Sequence, residues 1–137
     1  MDADSTPPQL AVGAICVRGG RLLLVRRGRG VNVGRWAPPG GRVEPGESVA
    51  AAVVRELWEE TGLRGRVTDL CGRAERRFDG HRYVILNHWV VAPTGPAVAG
   101  DDAAAVTWCD RAGLDAIDLV HGLRAFLDEH QVLARLR

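Results

Sequence analysis

Hydrophobic positions come in short runs and alternations along most of the chain, and they take a helical period in only two places. Residues 10–17 and the stretch RLLLVRR read as strands joined by Gly19-Gly20, a hairpin turn. Residues 28–34, GRGVNVG, form a glycine-rich loop, and WAPPGG is an extended segment ending in a tight turn. Ser48 is placed to N-cap a helix through AAAVVRELWEET, which Gly62 closes as a C-cap glycine. Two β-like runs, 66–78 and 81–92, flank the hairpin signal Asp79-Gly80, and residues 103–109 form a further strand. Apolar positions at Leu119, Leu123, Phe126, Leu127, Leu133 and Leu136 predict an amphipathic helix from Asp118 to the end. Residues 1–9 read as a disordered lead, and residues 10–137 as one domain: a mixed sheet of α/β (α+β) class sandwiched between helices.

The first helix carries a conflict. Glu56, Glu59 and Glu60 crowd its C-terminal end, where the backbone already presents partial negative charge. Like charges at such spacings repel by roughly 0.2–0.5 kcal/mol per pair. At 100° per residue the three acids span roughly a 100° arc, on the side that carries Val49 and Val53. They therefore continue the apolar stripe instead of opposing it, at the edge of the core, where carboxylates need partners. Arg55, the only base within the helix, lies about a quarter turn outside the arc, within reach of Glu47. Three acids remain, and hard oxygen donors in that number suit Mg²⁺ or Mn²⁺. A solvated acidic surface is the ordinary alternative.

Composition narrows the class. At 137 residues, 46% hydrophobic and 26% charged, the chain is an ordinary globular domain. Its net charge of +1 supplies no general field for nucleic acid or an anionic membrane. Cys16, Cys71 and Cys109 are isolated and odd in number, so they read as reduced, buried residues. No apolar run approaches the roughly 20 residues of a membrane span, and the N-terminal stretch lacks signal-peptide regions, which predicts a cytoplasmic protein.

The stretch GGRVEPGESVAAAVVRELWEETGL resembles the signature of the Nudix (MutT-like) hydrolases: G, five residues, E, seven residues, then REUxEExGU with U a bulky aliphatic. Gly41, Glu47, Arg55, Glu56, Leu57, Glu59, Glu60, Gly62 and Leu63 fill every fixed position. A chance match is on the order of 10⁻⁹ per starting position. The resemblance covers about residues 10–130, including the Trp-x-x-Pro-Gly-Gly entry and a late strand with Trp108. It implies the Nudix fold, divalent metal at Glu56, Glu59, Glu60 and the Gly41 carbonyl, and a Glu47–Arg55 ion pair. It also implies an acid in the loop before the tryptophan strand, where Asp101 and Asp102 stand as a further ligand or the base that activates water; Glu59 is the other candidate base. Two departures are Pro38, where the family often has a bulky residue, and aspartate in place of the commoner loop glutamate.

The implied chemistry is hydrolysis of a diphosphate bond with Mg²⁺, or Mn²⁺, offsetting charge and lowering the pKa of water. Arg26, Arg27, Arg29 and Arg35 flank the glycine-rich loop, and Arg73, Arg76, Arg77 and Arg82 surround the later hairpin. Of these Arg26, Arg27, Arg35 and Arg77 are candidates for phosphate contact, and Tyr83 for a base, against solvated charge and core packing as the alternatives. Residues 82–110 resemble those of small bacterial ADP-ribose pyrophosphatase-like members, which implies a nucleoside diphosphate joined to a second moiety as substrate. The rival is a nucleoside triphosphate pyrophosphohydrolase that clears oxidised or excess nucleotides; a non-catalytic nucleotide-binding regulator is a third reading, and a metal-dependent isomerase fits poorly. The family includes both monomers and homodimers, and both states stay open for this chain.

Overall fold

The computed structural model describes residues 7–30, 32–78 and 80–137. Most of the expected disordered lead, residues 1–6, lies outside the described residues, as does Asp79 of the second hairpin signal. Gln9 already belongs to the first strand.

Seven strands form one mixed sheet: β1 Gln9–Arg18, β2 Arg21–Arg27, β3 Trp36–Ala37, β4 Gly40–Arg42, β5 Arg66–Phe78, β6 His81–Val91 and β7 Ala103–Cys109. The order β3-β2-β1-β6-β5 is extended by β4 on β1 and β7 on β2. β1 is the hinge of this arrangement. Its length from Gln9 to Cys16 pairs in parallel with Tyr83–Val90 of β6, while its other edge is shared. Ala11, Val12 and Gly13 face β4, and Val17 and Arg18 face β2. The sheet therefore divides around β1, and the division leaves room for a cavity.

The alternation of β1 and β2 supplies two cores. Val12, Ala14, Cys16 and Leu23 pack against Ala52, Val53 and Leu57 of helix α1, Val49–Thr61. Ile15, Leu22 and Leu24 face the other way, against Leu114 of α2 (Arg111–Asp115) and Leu123, Phe126 and Leu127 of α3 (Leu123–Glu129). Helices thus cover both faces, as the alternating apolar strands require. α1 has the expected caps: Ser48 accepts from the Ala51 N–H at 3.1 Å, and Gly62 stands at φ 71° with its N–H on the Trp58 carbonyl. The short α2 was not anticipated; Asp110 caps it by accepting from the Gly113 N–H at 2.8 Å.

The C-terminal segment corrects the expectation of one helix from Asp118. Trp36 donates to the Asp118 carbonyl at 2.8 Å and accepts from the Val120 N–H at 3.0 Å, so residues 118–120 run beside β3. Gly122 at φ 82° then turns the chain into α3, and Gln131 at φ 66° ends it before a single 3₁₀ turn at Leu133–Arg135. Left-handed residues cannot continue a right-handed helix, although the apolar spacing still buries Leu123, Phe126, Leu127 and Leu136. β6 likewise stops at Val91, one residue early, and the Ala92 carbonyl accepts from Arg18. All three cysteines are free, Cys16 and Cys109 buried and Cys71 half-buried. Among the described residues no helix is long and apolar enough to cross a membrane.

Candidate active site

A cavity of about 560 Å³ opens where the sheet divides. Glu56, Glu59 and Glu60 line it from the end of α1, with Gly40 and Gly41 of β4 beside them. Arg26 and Arg27 face it from the end of β2, Arg29, Asp101 and Asp102 from two loops, and Arg76, Phe78, Tyr83, His121 and Phe126 stand among its other walls.

Arg55 organises the acids. Its Nε and Nη2 donate to both oxygens of Glu47, at 2.7 and 2.9 Å, a bidentate pair across the loop before the helix. Nη1 donates to Glu56 at 2.7 Å and to Glu59 at 3.1 Å, and Nη2 also reaches the Arg42 carbonyl at 3.0 Å. The guanidinium holds the Glu47 carboxyl down at about 2, helped by the Glu44 N–H, and the same contacts push the Arg55 pKa up. With Glu44 at 3.8 Å from Nη1 as well, one cation is shared among four carboxylates, and Glu60 is not one of them. Its Oε1 accepts from the Gly40 N–H at 3.2 Å.

Burial, with Glu56 alongside, pushes Glu60 up to about 8, against the opposing pull of the Gly40 N–H and of Arg27. Burial raises Glu56 as well, despite Arg55. These carboxylates sit where desolvation disfavours their charge. The consequence for stability has a definite sign. Below about 4.5, the ordinary value, Glu60 is protonated in folded and unfolded chains alike. Between there and about 8 the folded chain keeps a proton that the unfolded chain has lost, so stability falls as pH rises, and above about 8 the loss is complete. Thermal unfolding of metal-free protein is expected to show a melting temperature that declines across this window, with a shallower decline in Glu60→Gln. A flat profile in the native protein would contradict the burial of this acid. Glu47 acts in the opposite sense, and its contribution is lost only as pH falls toward about 2.

The residues fit a divalent cation in chemistry but are not drawn into a cage. Among the described residues no three acids, histidines or cysteines converge on one point. Glu59 is turned toward Arg55, whereas Glu56 lies against Gly41 so closely that a Cβ there would stand 2.6 Å from its carboxylate carbon. Glu56 and Glu60 are half-buried, mutually repelling oxygen donors beside an open cavity, the donor type that Mg²⁺ accepts while retaining water.

The acidic loop is fixed on α1 by backbone contacts. Gly100 donates to the Glu60 carbonyl at 3.0 Å, and a Cβ on Gly100 would meet the Glu59 oxygen at 2.6 Å. Gly28 donates to the Asp102 carbonyl at 2.8 Å, which ties the glycine-rich side to the same loop. The Asp102 side chain pairs with Arg29 at 2.6 Å, both largely exposed, and Asp101 adopts φ 48°.

These surroundings sort the other candidates. Arg26, Arg27 and Tyr83 line the cavity. Arg35 does not; its guanidinium approaches Asp118 at 3.6 Å. Arg77 does not either, because β5 alternates and turns Ala74, Arg76 and Phe78 inward. Arg76 is the inward-facing arginine that the sequence reading passed over. Tyr83 stands 5.7 Å from Phe78, centroid to centroid. Trp36, Trp89 and Trp108 pack against the cores, the last under Arg18. Asn87 and His121 were also missed. Asn87 was detectable, since it falls on the same period-two face of β6 as Tyr83 and Ile85.

Residues 7–130 match the family model described as the NUDIX domain. The chain belongs to the NUDIX family. Among its relatives, the ADP-ribose pyrophosphatase of Methanocaldococcus jannaschii is 37% identical over 118 residues, 83% of this chain and 69% of that protein. The CTP pyrophosphohydrolase of Escherichia coli is 35% identical over 99 residues, 72% of this chain and 73% of its own length. A MutT NUDIX hydrolase structure from Burkholderia pseudomallei is 30% identical and superposes with a TM-score of 0.79, over 90% of this chain and 98% of that one. The protein is thus a Nudix hydrolase of the pyrophosphohydrolase type, in a family that generally works with divalent metal.

Proposed function

We propose that this Nudix hydrolase cleaves the diphosphate of a nucleoside diphosphate joined to a second moiety, ADP-ribose or a close analogue, with Mg²⁺ held by Glu56, Glu59, Glu60 and the Gly41 carbonyl. The observation that carries the proposal is the composition of one cavity: carboxylates and arginines gather around its divided-sheet end, and the Phe78–Tyr83 pair stands on another wall. Its volume lies in the range of small-molecule sites. The ADP-ribose pyrophosphatase among the relatives supports this substrate class, whereas the CTP pyrophosphohydrolase fits the triphosphate reading.

Bound Mg²⁺ would supply positive charge that offsets the repulsion between diphosphate oxygens and a nucleophile, and would lower the pKa of water. The chain does the rest. Arg26 and Arg27 face the anionic substrate and hold its phosphates. Arg55 fixes the azimuth of Glu56 and Glu59 and keeps the preceding loop on the helix through Glu47. Glu59, more exposed than Glu56, accepts the proton of the attacking water. Asp102, paired with Arg29, closes the mouth and positions the loop in this scheme, with Asp101 beside it.

Mass spectrometry of products from a panel of ADP-ribose, NADH, canonical dNTPs and oxidised dGTP tests the proposal. AMP plus ribose 5-phosphate from ADP-ribose is expected, dependent on added Mg²⁺. Pyrophosphate released from one triphosphate, with ADP-ribose untouched, would replace this substrate class by nucleotide-pool cleaning.

A further inference from the structure

Asn87 is 7% exposed, lines the cavity, and has no hydrogen-bond partner among the described residues for its side-chain amide. Its amide is therefore left to bond what enters the cavity, and it can both donate and accept. Its neighbours make space for that. Gly13 pairs with it on β1 and Gly72 on β5, so neither flanking strand puts a side chain beside it. The amide leans over Gly13, where a Cβ would overlap its oxygen.

The register tells what it can reach. Gly13 pairs on one side with Asn87 and on the other with Gly40, whose N–H meets Glu60 at 3.2 Å. An amide over Gly13 is therefore one strand spacing, roughly 5 Å, from the strand that borders the acids. Tyr83 lies four residues earlier on β6, roughly 13 Å along the strand. A diphosphate at the acids places the adjoining sugar near Asn87 and more remote groups toward Phe78 and Tyr83. The chemistry agrees. A phosphate accepts only and would leave the amide oxygen unmatched, whereas sugar hydroxyls donate and accept as the amide does.

We infer that Asn87 is a specificity-determining residue that hydrogen-bonds a ribose hydroxyl of the nucleoside adjoining the diphosphate. This rests on the proposed placement of the diphosphate at Glu56 and Glu60. A site built to bond a hydroxyl rejects the analogue that lacks it, because its own polar group stays unpaired.

The test compares ADP with its 2′-deoxy and 3′-deoxy forms in binding by calorimetry, and the corresponding ADP-ribose analogues in turnover, for the native protein and Asn87→Leu. The native protein is expected to prefer the full ribose to at least one deoxy form by about tenfold or more in both measurements. In Asn87→Leu the preference falls to within about threefold, through weaker handling of the full ribose. Because the ratio is read within one variant, partial loss of folded protein cancels. A preference unchanged in Asn87→Leu, or absent from the native protein, overturns the inference. Discriminating binding without turnover would leave the sugar contact standing and sink the proposed reaction. Turnover of ADP-ribose without discrimination would do the reverse, and failure to bind ADP would remove both.

Discussion

Glu60→Gln is expected to lower kcat on the order of 10³-fold, while leaving the metal-free protein at least as stable at pH 8 as the native one. The two halves of this expectation share a cause. Burial has pushed the Glu60 carboxyl up to about 8, so its neutral form is the one the fold tolerates best. Glutamine has the shape of that neutral form, and its amide oxygen can still accept from the Gly40 N–H. What it removes is the negative charge that a divalent cation would need. A purely structural acid would give the opposite pattern, a loss of melting temperature with little change in turnover by the folded fraction. Steady-state kinetics with Mg²⁺ beside thermal unfolding without it separates the two, and activity within a few-fold of native would remove Glu60 from the metal set.

Gly41→Ala should reduce kcat by on the order of 10²-fold with little change in folding, whereas Gly40→Ala should fail to accumulate as folded protein. The two glycines are adjacent on β4, and each lacks room for a Cβ, but the obstacles differ in kind. At Gly41 the added carbon meets the Glu56 carboxylate, with its carbon and nearer oxygen both at 2.6 Å. That group is the far end of a flexible side chain and can swing aside. Swinging aside costs little stability, but it carries a site carboxylate away from its position and from Arg55. At Gly40 the added carbon would overlap the Val12 carbonyl oxygen on the paired strand, and backbone in a ladder cannot move without breaking pairs. Circular dichroism and kinetics on both variants check this. A fully active Gly41→Ala enzyme would show that the position of Glu56 against β4 does not matter to turnover.

The helix that carries the acids was legible because its determinants are local. The Ser48 cap, the Gly62 stop, the buried Val53 and Leu57 and the acidic arc all follow from relations three or four residues apart. The Glu47–Arg55 pair belongs with them, since two turns of helix and a short loop bring the groups together. Five strands, β1, β2, β5, β6 and β7, were legible for the same reason, with boundaries within a residue or two, whereas the single extended segment expected at WAPPGG is split between β3 and β4.

Which side chains share the cavity is a different kind of fact. It depends on β1 lying parallel to β6, with Gly13 opposite both Asn87 and Gly40, a relation between segments more than twenty residues apart. A residue slip in β5 or β6 would exchange every inward side chain for an outward one, which is why Arg76 faces inward and Arg77 does not. The end of the chain shows the same divide. Its apolar spacing marked Leu123, Phe126, Leu127 and Leu136, which are buried, and missed Val132, while pairing of residues 118–120 with Trp36 and the left-handed turns at Gly122 and Gln131 broke the helix that spacing implied. Periodicity reports which face of a segment avoids water; the backbone path that delivers that face is chosen by partners distant in the chain, through hydrogen bonds that no local pattern encodes.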